Sequence, residues 1–319
     1  MQPIAKETHS SVLLFEASIC NSFYGDYAIF NKPPNVSVAG DGKTAEEDNI
    51  QFLDMVKAYY ENKNYNHIPA LLHRLDKVCS GIMVFGKTKQ AERHFQNLLQ
   101  FRKETIGKGY TAVTRGVVEK NHGTLKGTLI STPGNFKRYS LVDSKKNSIR
   151  NLIETKYKVI DRKLEWDTKS GIIKKKSEEE PAPAEEATEE GEKKKAKEDC
   201  TLLAMRLLTG KSHQARASAS GLSSPIVGDE LYGGRKFLNQ DQYVEGALVP
   251  TTLLHSTYLI FPNVDPEEPY YEMFCSPWSW WNPLRVEKIE DGEMLNIFQK
   301  LCKPYAPPPD KPYIPDRFK

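Results

Sequence analysis

The sequence predicts a single α+β domain in which many short strands are interspersed with a few helices. Three observations support this. Short apolar or alternating runs recur from near the start to near the end, two stretches carry apolar residues at helical spacing, and no internal repeat is present. With 319 residues and 39% apolar content, the chain can bury a sizeable core.

Taken in order, Tyr27 to Asn31 is an apolar run halted by Pro33-Pro34, which reads as a strand feeding a loop. Glu46 to Tyr60 places Ile50, Leu53, Val56 and Tyr60 three or four residues apart, the spacing of an amphipathic helix. Gly81 to Gly86 is a compact apolar strand, followed by a helix carrying Ala91, Phe95, Leu98 and Leu99. Tyr110 to Val118 and Thr155 to Ile160 read as strands, the second alternating Tyr157 and Val159 with lysines. Lys174 to Asp199 has no apolar periodicity and is expected to be a disordered insertion that extends a surface loop. It reads as a solvated spacer or as a tail for a basic partner. Thr201 to Leu208 is a strand leading to a short helix with Ser212 as its N-cap. A further strand holds His255 between Leu253-Leu254 and Tyr258 to Phe261, and the last sixteen residues, from Pro304, contain six prolines.

Composition removes several function classes. No run approaches the roughly 18 apolar residues of a membrane span, so no membrane association is expected. The five cysteines are scattered without a CxxC pair, which excludes a zinc ribbon and points to a reducing intracellular compartment. Cytoplasm, nucleus and mitochondrion are not distinguished. There is no HExxH helix, no P-loop and no Gly-x-Ser-x-Gly elbow, so a metal enzyme, P-loop phosphate chemistry and a serine nucleophile of that kind are not expected. Lys174 to Asp199 holds seven lysines against ten acids, leaving the rest at +6, a balance that permits a phosphate-backbone partner without demanding one.

Two polar clusters remain. Leu71-Leu72-His73-Arg74-Leu75-Asp76-Lys77-Val78-Cys79-Ser80-Gly81 wedges His, Arg and Asp between an apolar pair and an apolar strand. Such groups must be paired to be buried, so this is either an Arg–Asp bridge supporting a loop or a loop presenting catalytic groups. The second, Thr209-Gly210-Lys211-Ser212-His213-Gln214-Ala215-Arg216, turns at Gly210 into a helix with cations beside its start. It could hold a phosphate, keep a carboxylate ionised, or be an ordinary capped helix.

Together with Asn31-Lys32-Pro33-Pro34, Lys108-Gly109-Tyr110, Pro225 to Gly234 and Leu254-His255, these clusters form an ordered series that resembles the RluA-type RNA pseudouridine synthases. The resemblance runs from about Asp26 to Pro277. It implies the pseudouridine synthase fold, a large, mostly antiparallel mixed sheet with flanking helices and loops. It also implies a boundary set of 1–25 as an N-terminal extension, 26–285 as the catalytic domain and 286–319 as a C-terminal helix with a Pro-rich tail. The implied chemistry is isomerisation of a uridine in RNA without cofactor or metal: the glycosidic bond breaks, uracil turns in a closed pocket, and carbon replaces nitrogen at the sugar.

By the resemblance, Asp76 is the catalytic carboxylate, as nucleophile or base. Tyr110 stacks on the base, and Arg216 pairs with Asp76. Arg74 fills the gap left by the flipped uridine, with Lys32, Lys211, His213 and Gln214 as further RNA contacts. The implied partner is ribosomal or transfer RNA, with ribosomal assembly particles as a second candidate, and a monomer is expected. The sequence departs from the family pattern at Cys79 (usually Thr), Lys211 (usually Arg) and Asn35 (usually Gly). With only about 25 residues ahead of Asp26, no separate RNA-binding module is expected there. The alternative is a member kept as an RNA-binding or ribosome-assembly factor whose catalysis is dispensable.

Overall fold

The structure is a computed structural model, and it describes residues 26–39, 51–62, 64, 68–132, 138–142, 151–168, 172–176, 197–236, 251–263, 270–277, 281 and 290–303. Its strands are β1 (Tyr27–Lys32), β2 (Ala70–Leu71), β3 (Ser80–Gly86), β4 (Gly107–Arg115), β5 (His122–Thr132) and β6 (Arg138–Val142). They continue with β7 (Leu152–Asp167), β8 (Ile173–Lys175), β9 (Lys197–Leu207), β10 (Leu254–Pro262) and β11 (Tyr270–Phe274). The α-helices are α1 (Phe52–Asn62), α2 (Lys89–Phe101), α3 (Gln214–Gly221) and α4 (Asp291–Cys302).

Among the described residues all eleven strands join one sheet, whose main path runs β1-β3-β10-β4-β9-β7-β5-β6, with β2, β8 and β11 on its flanks. Every strand pairing is antiparallel except β3 with β10. That parallel contact is two residues long, His255 with Ser80 and Ser256 with Gly81. Gly81 sits at φ 110°, where a Cβ would lie against the Ser256 carbonyl, so only glycine lets the two backbones approach there.

Strand periodicity divides the core. From β1 and β3, Ala28, Phe30, Met83 and Phe85 face α1, meeting Phe52, Met55, Val56 and Tyr60. The alternate residues, Ile29, Ile82 and Val84, face α2 at Ala91, Phe95 and Leu98. Strands buried on both faces read as continuous apolar runs, which is why β3 and β10 are legible without alternation. On β9, Leu203 and Met205 belong to the first cluster, whereas Leu202 and Ala204 face α4 through Met294, Ile297 and Phe298. Buried Arg206 donates to the carbonyls of Leu301 (3.1 Å) and Lys303 (2.8 Å), closing the C-terminus of α4 with a cation.

Several boundaries differ from the sequence reading. The strand expected at Tyr110–Val118 begins at Gly107 and ends at Arg115, because Val118 turns away to donate to Thr201 Oγ1. Thr155–Ile160 is only the middle of the sixteen-residue β7. The expected insertion at 174–199 is ordered at both ends: Ile173–Lys175 and Lys197–Asp199 pair with opposite edges of Leu164–Asp167. Residues 177–196 lie outside those described, as do the start of the first helix expectation and the Pro-rich tail. No described helix is long and apolar enough to cross a membrane.

Candidate active site

The loop between β2 and β3 carries Asp76 into a cleft of about 600 Å³ lined also by Arg74, Leu75, Cys79, Lys108, Tyr110 and Lys211. The loop is built locally. Cys79 N–H donates to the Asp76 carbonyl at 3.1 Å, closing a turn that leaves the aspartate side chain partly exposed. Cys79 itself is buried at the cleft wall, and burial pushes its thiol up to about 12, so it stays a neutral thiol.

Lys32 fixes this turn from behind. It is fully buried, and its ammonium donates to the carbonyls of Pro33 (2.7 Å), Val36 (2.9 Å) and Lys77 (3.2 Å). Three acceptors use all three donors of the ammonium, while burial lowers its pKa to about 8 against the pull of Cys79 and Asp76. Expected as an RNA contact, Lys32 here ties the Asn31–Pro34 loop to the residue after Asp76. Asn35, where the family usually has glycine, adopts φ 62°, which asparagine tolerates, and its Oδ1 accepts from Thr251 at 2.7 Å.

A second tie lies one residue past the turn. Ser80 Oγ and His255 Nδ1 are 2.8 Å apart, and His255 Nε2 is 3.2 Å from the Cys275 carbonyl. Since a carbonyl only accepts, Nε2 carries the proton and Ser80 donates to Nδ1. Burial drives His255 down to about 3, so it is neutral.

On β4, Tyr110 and Lys108 share the cleft face, and Gly109 between them faces α4, where a Cβ would meet the Phe298 ring at 2.5 Å. Burial first, then the neighbouring Cys79 and Asp76, raise the Tyr110 pKa, so its hydroxyl stays protonated; the Ser256 side chain opposes this weakly. The ring is thus an uncharged aromatic wall beside the carboxylate.

The opposite wall is the corner from β9 to α3. Ser212 does not cap the helix; His213 does, in the left-handed conformation at φ 57° and without a side-chain cap bond. The first helical residue, Gln214, supplies the tie instead: its Oε1 accepts from Thr209 Oγ1 and the Lys211 N–H, and its Nε2 donates to the Glu154 carbonyl and Thr155 Oγ1. Expected among the RNA contacts, Gln214 is buried with those partners and holds the corner to β7.

Arg216 is buried, and its Nη1 lies 3.9 Å from Asp76 Oδ2, an ion-pair approach too long for a hydrogen bond. Its fork is committed elsewhere: Nε and Nη2 donate to the two oxygens of buried Asp229, each at 2.7 Å. Asp229 went unrecognised as a partner, although Pro225 to Gly234 was noted as a motif. Burial disfavours the guanidinium charge, but the Asp229 hydrogen bonds and charge prevail and hold it protonated. Tyr232 lies under the guanidinium at 4.9 Å from the ring centroid. Arginine only donates, so the His213 Nε2 at 3.3 Å from Nη1 is the unprotonated nitrogen, and Nδ1–H donates to Tyr232 Oη at 3.0 Å. Burial depresses His213, in keeping with a neutral ring. Arg74 and Lys211, by contrast, are exposed at the cleft mouth.

A family profile for RNA pseudouridylate synthases matches residues 26–220, well over half of the chain. The chain belongs to this family. Among relatives, an uncharacterized RNA pseudouridine synthase of Aquifex aeolicus is 27% identical over 165 residues, 52% of this chain and 40% of that protein. The chloroplastic RNA pseudouridine synthase 2 of Oryza sativa subsp. japonica is 28% identical over 168 residues, 53% of this chain and 30% of that protein. The ribosomal large subunit pseudouridine synthase C of Rickettsia conorii is 24% identical over 237 residues, 72% of this chain and 63% of that one. The chain therefore spans less than two thirds of these relatives. In fold it is similar to the solved structure of human RNA pseudouridylate synthase domain containing 1, with TM-score 0.58, 17% identity and coverage of 97% of this chain and all of that one. The matched span holds the motifs from Asn31 to Arg216, so pseudouridine synthase membership accounts for these.

Proposed function

We propose that this protein converts a uridine within RNA to pseudouridine, with Asp76 as the reacting carboxylate. The observation that carries the reading is the juxtaposition of Asp76, the Tyr110 ring and Arg216 Nη1 around one cleft, with the arginine 3.9 Å from the carboxylate. The reaction breaks the N1–C1′ bond, joins C5 to C1′, removes the C5 proton and adds one at N1, so nothing is consumed. Asp76 attacks the uridine as nucleophile or acts as base at the ribose. Tyr110 stacks on the uracil while it turns, and Leu75, Leu207 and Leu254 keep water from the detached base. Arg216 opposes the carboxylate charge without bonding it, leaving both Asp76 oxygens available. Arg74 and Lys211 at the mouth engage the RNA, Arg74 filling the gap left by the flipped nucleotide. The names of the ribosomal large-subunit relatives make ribosomal RNA the first substrate to test.

Because the C5 proton leaves, RNA labelled with tritium at uridine C5 should release label on incubation with the protein, and pseudouridine should map to defined positions. Asp76→Asn should release none above background while still binding RNA. Label release that survives this substitution would rule out Asp76 as the reacting group.

A further inference from the structure

Lys32 is buried and Lys108 half-buried in the cleft wall; desolvation lowers both to about 8, but they differ in their partners. Lys32 spends its ammonium on three carbonyls. Lys108, on the cleft face of β4, has no hydrogen-bond acceptor and no ion-pair partner among the described residues. Its cross-strand neighbours are Leu259 on β10 and Leu207 on β9. The charge that acts on it most is Lys103, after α2, which lowers its pKa further. His73, close enough to feel Lys108, is neutral: burial drives it to about 3, and its Nε2 accepts the Val84 N–H. Glu104, the acid of the 103–105 turn, is engaged with Arg102 at 3.8 Å. The far side of the ammonium is bounded by Gly210, where an added Cβ would stand 3.4 Å from Nζ.

A cation set in a half-closed wall, with a like charge beside it and no acceptor, lacks the counter-charge that makes such burial favourable. We infer that Lys108 forms an anion subsite within the cleft, taking a phosphodiester of the RNA strand beside the extruded nucleotide. The choice of phosphodiester over another anion rests on the RNA-isomerase reading. It agrees with the exposed Arg74, Lys77 and Lys211 around the same cleft, which continue a cationic path outward for a single strand. Gly210 keeps the approach to the ammonium free of a side chain.

The test measures binding of a fluorescent single-stranded oligouridylate by the full chain across salt and pH. Lys108→Met should weaken binding about tenfold at pH 7 and reduce the slope of log affinity against log salt by about 0.7, one phosphate on a single strand. Wild-type affinity should fall several-fold from pH 7 to 9 as the lysine loses its proton. In Lys108→Arg, whose guanidinium stays charged, that part of the fall should vanish. Lys32 titrates in the same range but is untouched by either substitution, so the difference between proteins reports Lys108 alone. Inorganic phosphate should compete less well against RNA in Lys108→Met. A folded Lys108→Met with wild-type affinity and salt slope overturns the subsite, as does a Lys108→Arg protein with the full pH-dependent fall. The isomerase reading fails separately, through absence of tritium release by a wild type whose binding still depends on Lys108.

Discussion

The two walls of the cleft solve opposite electrostatic problems. On the carboxylate wall, Asp76 is positioned through its backbone: Cys79 closes its turn, Lys32 grips the next carbonyl, and the Ser80–His255 pair anchors β3 to β10. On the cation wall, Arg216 is positioned through its side chain, by a two-pronged bond to Asp229 and a ring beneath it. The consequence is an acid that remains available and a base that is already satisfied. An Arg216 bonded directly to Asp76 would occupy the oxygens that the proposed reaction uses; one neutralised by Asp229 steadies the charge from 3.9 Å and leaves them open.

Breaking the cation wall should cost most. Asp229→Ala leaves the buried guanidinium without its paired acid and should lower stability by about 3–5 kcal/mol, read from the denaturant midpoint. A change under 1 kcal/mol would mean that Asp76 takes over the pairing, and the walls would not be independent. On the carboxylate wall, Ser80→Ala removes the donor to buried His255 Nδ1 and should cost roughly 1–3 kcal/mol. Its activity should fall through kcat more than KM, because the Asp76 turn shifts while the mouth is unchanged; a pure KM effect would contradict this. Tyr232→Phe keeps the ring under Arg216 but loses the bonds from Tyr139 N–H and His213, and about 0.5–1.5 kcal/mol should follow.

The gentlest probe is pH. Lys32 and Lys108 hold their protons less tightly folded, at about 8, than at the ordinary 10.5 of an unfolded lysine. Between those values the unfolded chain binds more protons, so their burial penalty is present in full below about 8 and lifts as pH rises toward 10.5. Their contribution is a rise in stability across that window, measurable as the wild-type unfolding free energy minus that of Lys108→Arg, which removes one of the two. An identical profile in both proteins would mean that the wall does not desolvate Lys108.

Much of this was legible in the chain. β1, β3, β10 and α2 follow from apolar runs and helical spacing, and the motifs of the β2–β3 loop, β4 and the corner before α3 are local in sequence. What escaped included β5, β6, β8 and β11; in β5 the exposed Thr124 and Lys126 flank a single apolar Leu125, and β8 is only three residues long, too short to show a period. Ser212 is not the cap of α3 because the helix begins one residue later than the serine suggests, after left-handed His213, and Gln214 ties the corner by accepting from the Lys211 N–H ahead of the helix. The motifs in which they stand placed Lys32 and Gln214 with the RNA contacts, since a lone lysine or glutamine carries no mark of burial.

Sequence by itself determined the family, the order of the motifs and the residue types able to do the chemistry, because each motif sits within one turn or strand. Tertiary structure decided who pairs with whom. Asp76 and Arg216 are 140 positions apart, and the acid that holds Arg216 is Asp229. That choice depends on which strands lie side by side in the sheet, and pairing between distant segments leaves no trace in local composition.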